Sequence, residues 1–285
     1  MRLLISIFLL CGSLVAAPAI KVLIIDGQNN HDWKATTPIL KKLLEESGRF
    51  TVAVATTPPK GGDMASFQPK FTGQDVVLSN YNGEPWSAAT QAAFEEFVRK
   101  GGGFVSFHAA DNAFPEWKEF NEMIGVGGWG NRTEKAGPYV RFRDGKIVED
   151  ATTPGPGGHH GAQHPFVVAK RNAQHPIMKG LPAEWMHVKD ELYDSLRGPA
   201  KNMTVLATAF SDPATKGTGE HEPMLMVLHY GKGRVFHTTL GHGPEAMQCV
   251  GFITTLLRGT EWTHQGKVTI PVPADFPKAD KTSTR

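Results

Sequence analysis

Cysteine is almost absent from this 285-residue chain, which has only Cys11 and Cys249. Cys11 falls in a stretch that reads as a removable leader, so the processed monomer keeps Cys249 alone and forms no internal disulfide. A chain of this length buries enough surface to fold without such staples. An excess of one charge is missing too. Thirty Lys and Arg against 28 Asp and Glu leave a formal charge of +2. That balance excludes a protein that captures phosphate backbones by bulk electrostatics, and with it nucleic acid as a partner. After the leader, no run approaches the roughly 18 uninterrupted apolar residues of a membrane span. No membrane association is therefore expected once the leader is removed. Internal repeats are absent. With 40% apolar and 20% charged residues, the composition is that of a folded protein.

The leader is expected over residues 1–19. Arg2 supplies a short positive region, residues 3–10 with Val15 supply the apolar stretch, and Ala17-Pro18-Ala19 offers a small-residue processing site. Gly12-Ser13 interrupts the run, and Leu10 stands before Cys11 where a lipoprotein signal wants a small residue. The reading is a secreted or periplasmic protein.

What remains alternates strands with helices. Val22-Leu23-Ile24-Ile25-Asp26 is a buried-strand run broken at Gly27, followed by a helical face of Ile39, Leu40, Leu43 and Leu44 with Gly48 as its stop. Further strands are expected at 51–55, 75–79 and 104–107, with a helix capped by Ser87 between the last two. This spacing predicts an α/β fold: a mostly parallel sheet with helices on both faces. Residues 112–180 are rich in Gly, Pro, His and Trp and read as a loop-rich insertion, with short strands at 139–142 and 166–169 and a turn around 117–123. Strands return at 205–209, 224–229 and 234–239, then a last helix over about 245–257. The domain is drawn over 20–265, and residues 266–285 are expected to wrap the surface or fray.

Histidine is abundant, with twelve in the chain. In open parallel sheets, ligands bind beyond the carboxyl ends of the strands. Asn29, Asn30, His31 and Asp32 follow the first strand there, His108 follows the strand at 104–107, and His242 follows the strand at 234–239. Core packing has no reason to gather imidazoles on one edge. His108 sits at the strand-to-helix elbow where a nucleophile stands in acyl-transfer enzymes, yet His offers a base or a ligand. The absent Cys counts against an amidotransferase or cysteine protease, and Ser106 is an inferior nucleophile inside its strand. In Trp185-Met186-His187-Val188-Lys189-Asp190-Glu191, a helix would put His187, Asp190 and Glu191 on one face. An extended chain would turn Asp190 away from His187. His159-His160 lies in a Gly-rich loop, where alternation sends only one ring, taken as His160, into a site.

These residues resemble the trehalose-utilisation (ThuA-like) family. The matching stretches are 22–26 with Asn30-His31-Asp32-Trp33, Gly101-Gly102-Gly103-Phe104-Val105 with His108-Ala109-Ala110, and His175-Pro176-Ile177 with Gly180-Leu181-Pro182. Asp190-Glu191-Leu192-Tyr193, and Tyr230-Gly231-Lys232-Gly233-Arg234-Val235-Phe236 through His242, complete the match. The resemblance covers nearly all of the processed chain. It implies a flavodoxin-like sheet of the class I glutamine-amidotransferase type without that family's Cys-His-Glu machinery. It also implies carbohydrate metabolism, in the context of 3-keto-glycosides. The expected protein is an exported enzyme acting on a sugar or keto-sugar by isomerisation, elimination or hydrolysis; the alternative is a non-catalytic glycan-binding or scaffold module. His108, Asp190, Glu191 and His242 are the catalytic candidates. Asn30, His31, Asp32, Trp33, Trp129, His160 and His187 are the candidates for substrate contact, with Trp185 considered for ring stacking. His108, Glu191 and His242 are the expected ligands of zinc or a similar divalent ion. The partner is a small carbohydrate, and a homo-oligomer is left open.

Overall fold

A computed structural model describes residues 18–285, so the leader lies outside the described residues as far as residue 17. The first half builds the expected parallel unit: β1 (Ile20–Asp26), α1 (Trp33–Glu46), β2 (Phe50–Thr56), β3 (Val76–Ser79), α2 (Ala88–Arg99) and β4 (Gly103–Phe107). The helices start where their caps dictate. Asp32 accepts a hydrogen bond from Ala35 N–H, and Ser87 accepts one from Thr90 N–H.

The middle segment adds α3 (Lys118–Ile124), β5 (Tyr139–Arg143), β6 (Lys146–Asp150), β7 (His159–His160) and β8 (His164–Lys170). Then come β9 (Glu184–Asp190), β10 (Tyr193–Asp194), β11 (Met203–Phe210), β12 (His221–Tyr230) and β13 (Gly233–Thr238). The chain closes with α4 (Pro244–Met247) and α5 (Val250–Gln265).

The main sheet runs β2-β1-β3-β4-β13-β12-β11-β8-β9, with β5 and β6 attached through β12. Pairing is parallel from β2 to β13 and antiparallel beyond it. The fold is α/β with a mixed sheet, compatible with the flavodoxin-like architecture. "Mostly parallel" describes only half of it, because the insertion and the strands after it pair among themselves as an antiparallel wing.

Alternation along the parallel strands feeds a core on each face. Val22 and Ile24 pack with Leu40, Leu44, Phe252 and Leu256 from α1 and α5, while Leu23 and Ile25 share the other core with Phe94, Val98, Phe120 and Met123 from α2 and α3. Each such side chain contributes about 1.5–3 kcal/mol when fully buried. The last twenty residues pack instead of fraying. Val268, Ile270, Val272 and Phe276 lie against the first core, and Val250 N–H donates to Ser283 O at 2.9 Å. Trp185 is fully buried against Phe276, so it stacks on no sugar.

Candidate functional site

Because β1, β4 and β13 are parallel, their carboxyl ends open on one edge, and His31, His108 and His242 leave from that edge. The antiparallel wing delivers the carboxylate. β9 carries one extra residue relative to β8, since His164 faces Asp190 while Phe166 faces His187. This bulge turns Asp190 back to the side of His187, contrary to the strict alternation expected of an extended chain. His187 Nε2 and Asp190 Oδ2 are 2.8 Å apart as a result.

Asp190 is buried and bonded on all sides. Its carboxylate also accepts N–H bonds from Glu191 (2.9 Å), Gly241 (2.8 Å) and His242 (3.0 Å). It therefore fixes the backbone of two site residues and meets no solvent, so it is a positioning residue and not the catalytic group expected. His187 is fully buried and serves as its partner, which removes it from the substrate-contact set. Gly241 has φ +105°, and a Cβ there would lie 2.6 Å from the Phe107 ring, so only glycine lets the loop bring His242 this close.

Glu191 is the hub. Its Oε1 lies 3.2 Å from His242 Nε2, 3.7 Å from His160 Nε2 and 3.2 Å from Gln163 Nε2. Its Oε2 faces His108 Nε2 at 3.7 Å, and neither of these two buried atoms has a protein hydrogen bond. Burial raises the Glu191 carboxyl, but the facing His108 ring and the interaction with His242 outweigh it and bring it down to about 2. Burial, then the neighbouring His108 and His242, lower His31 to about 3. Burial also lowers His242. Two neutral imidazoles thus flank an ionised carboxylate. His31, Glu191 and His242 each present a ligand atom within 4.8 Å of the others. Two imidazoles and one carboxylate suit a divalent ion such as zinc, with a coordination position left for water or substrate. This set corrects the expected one: His31 stands where His108 was expected.

His108 lies one layer below. Its φ of +44° is the strained elbow anticipated between β4 and the following turn. The ring is buried and lies tilted against Tyr193 with centroids 4.3 Å apart, and its Nδ1–H donates to Thr239 O at 2.6 Å. Burial opposes its charge, but Glu191, Asp190 and the Thr239 carbonyl raise its pKa overall. These neighbours favour the protonated form of the buried ring beside the Glu191 carboxylate.

A cavity of about 460 Å³ opens above this cluster, lined by Asn30, His31, Asn82, Asn112, Trp129, Gly130, His160, Glu191 and Tyr193. Asn30, Trp129 and His160 line it as the sequence placed them, and His159 turns the other way to Asp194 at 3.0 Å. Asp32 is spent capping α1, and Trp33 lines a neighbouring cavity. Reading strand ends alone missed Tyr193, Asn82 and Asn112. Tyr193 was within reach, two residues after Glu191 in a quoted motif; its Oη lies 3.1 Å from His31 Nε2, and burial holds its hydroxyl protonated. The elbow carries no cysteine, Cys249 is buried at the start of α5 and Ser106 is fully buried, so among the described residues no cysteine is placed as an amidotransferase nucleophile.

Residues 21–263 match the family model described as ThuA, trehalose utilisation. The chain belongs to the ThuA family. A ThuA-like protein from Parabacteroides merdae is 48% identical over 94% of this chain and 98% of its own, with a TM-score of 0.92. A second, from Bacteroides uniformis, is 21% identical over 90% of this chain and 98% of its own, with a TM-score of 0.58, and is similar in fold alone. No curated protein matches the sequence. In this ThuA-family chain, a carbohydrate-family framework therefore carries a His/Glu cluster consistent with catalytic chemistry.

Proposed function

We propose that this ThuA-family protein is an exported enzyme acting on a sugar or 3-keto-glycoside in the cavity above Glu191, with a divalent metal held by His31, Glu191 and His242. The observation that carries this reading is the meeting of two neutral imidazoles and one ionised carboxylate beneath a polar cavity that His31 and Glu191 line. When bound, the ion supplies Lewis-acid stabilisation of negative charge developing on a carbonyl oxygen or water.

The chain's own groups do the rest. A keto group acidifies the neighbouring carbon, so isomerisation or elimination moves the C–H proton to a base, for which His160 lines the cavity, and needs a proton donor near the oxygen. His108 holds a proton at Nε2 next to Glu191, and Tyr193 keeps its hydroxyl proton at the cavity wall. Trp129 offers a ring face, and Asn30, Asn82 and Asn112 offer amides for hydroxyl groups.

Metal analysis and zinc titration of the processed protein, with a turnover screen on oxidised and unoxidised disaccharides, test the proposal. One ion per chain, and turnover of a keto-sugar that chelation removes, support it. Sugar binding with neither metal nor turnover assigns the protein to the glycan-binding alternative.

A further inference from the structure

The catalytic reading leaves a second cavity unused. It measures about 670 Å³ and is lined by Gln28, Asn30, Trp33, Lys60, Asn82 and Glu84 among others. Asn30 and Asn82 also line the His/Glu cavity, so the two adjoin through these residues. Resting on the reading above, we infer that this second cavity binds the other half of a two-unit glycoside: a neutral, hydroxyl-rich ring joined to the unit held over Glu191.

Position is the first argument. The sheet order β2-β1-β3 makes the gap between β1 and β3 a point where chain connections diverge to opposite sides, the crevice in which doubly wound sheets take ligands. The loop after β1 (27–30) and the loop after β3 (82–84) are its walls. The rib between the cavities is tied across. Asn30 N–H donates to Asn82 Oδ1 at 3.1 Å, and Asn82 Nδ2 donates to Asn30 Oδ1. A molecule reaching from one cavity to the other must cross these two amides.

Chemistry is the second argument. Trp33 contributes an aromatic wall, and around it stand Lys34, Lys60 and Glu84, with Glu84 Oε2 held by Gly61 N–H at 2.8 Å and by Gln28. An aromatic ring among donors and acceptors of both charges matches a ring with one apolar face and a rim of hydroxyls.

The usual occupant of such a crevice does not fit this one. Nucleotide phosphates sit on the free N-terminus of the helix after β1, above a glycine-rich turn. Here Asp32 places a carboxylate on that N-terminus and takes the Ala35 N–H, and the turn is Gly27-Gln28-Asn29-Asn30 with a single glycine. An anionic ligand meets a negative cap. A neutral one does not.

The test is calorimetric titration of the processed full chain with glucose, cellobiose, maltose and trehalose, each unoxidised and as its 3-keto form. The wild type should bind at least one disaccharide about tenfold more tightly than glucose in the same oxidation state. In Trp33→Ala that preference should fall to parity, and in Trp33→Phe, which keeps a ring face, most of it should remain. Equal affinity for one and two units, no disaccharide binding, or a preference that survives Trp33→Ala would overturn the inference. Zinc titration of the same samples separates the two claims. A Trp33-dependent preference without zinc binding removes the metal reading and keeps the second cavity. Zinc binding without such a preference does the reverse.

Discussion

Asp190 is the residue on which the site geometry turns. One buried carboxylate accepts four N–H bonds and thereby fixes the backbone of Glu191 and His242, residues that lie far apart in the chain. Asp190→Asn keeps the shape but points an amide N–H₂ at backbone donors. Zinc affinity is expected to fall about 10–100-fold, the usual range for losing a group that orients metal ligands. Stability should fall by about 1–3 kcal/mol from the unsatisfied donors. Calorimetric zinc titration beside a denaturant melt reads both, and an unchanged zinc affinity contradicts the positioning role. His108 calls for a different readout. Replacing it with Gln removes the buried proton, and kcat should drop about 10²–10⁴-fold if that proton takes part in the reaction. The residues at strand ends were legible because parallel strands must bring their carboxyl ends to one edge. The division of labour was not. Which imidazole faces the cavity and which supports it from below depends on the bulge in β9 and on the left-handed backbone at His108, and neither leaves a periodic trace in the sequence.

At the scale of elements, the parallel half was readable because Val22 to Ile25 is a continuous apolar run, Phe104 to Phe107 is interrupted only by Ser106, and capped, amphipathic helices lie between the strands. The antiparallel wing was harder. β7 and β10 are two residues each, and their pairing is decided by side chains distant in sequence. β7 holds His160 at the cavity and is fastened from behind by His159, whose Nδ1 lies 3.0 Å from the buried Asp194. Asp194 in turn accepts from Ser211 Oγ at 2.7 Å. Backbone bonds from Gly158 N–H to Ser195 O and from Ala162 N–H to Thr215 O hold the ends of this segment and His159 ties its middle, so His159→Ala should loosen residues 155–163 without lowering the thermal midpoint by more than about a degree or two. Hydrogen exchange resolved by peptide measures this. Unchanged protection of that segment would show that the His159–Asp194 pair does not secure it.

For the whole molecule, the buried titratable groups set opposite pH limits. In metal-free protein, His31 is lowered from its ordinary 6.5 to about 3, so its contribution is complete above 6.5 and is lost as pH falls toward 3. Glu191, lowered from 4.5 to about 2, adds a loss over the interval below 4.5. His187 works in the other direction. Burial opposes its charge, but the Asp190 bond prevails and raises it to about 9, so its contribution is complete below 6.5 and is lost as pH rises through 9. The thermal midpoint should therefore peak near pH 6.5 and decline on both sides, and His187→Gln should reduce the alkaline decline, leaving only the part that the raised His108 contributes. Melting curves at intervals from pH 3 to pH 9 test this; an alkaline decline unchanged in His187→Gln contradicts the assignment.

The central claim is that His31, Glu191 and His242 form one divalent-metal site beneath the cavity, and zinc titration of the wild type with single variants addresses it most directly. The account predicts one zinc ion per chain, with affinity lost in His31→Ala and in His242→Ala and retained in His108→Gln, because His108 supports the site from below and is not a ligand. No stoichiometric zinc binding, or binding that survives His31→Ala and disappears only with His108→Gln, would contradict it.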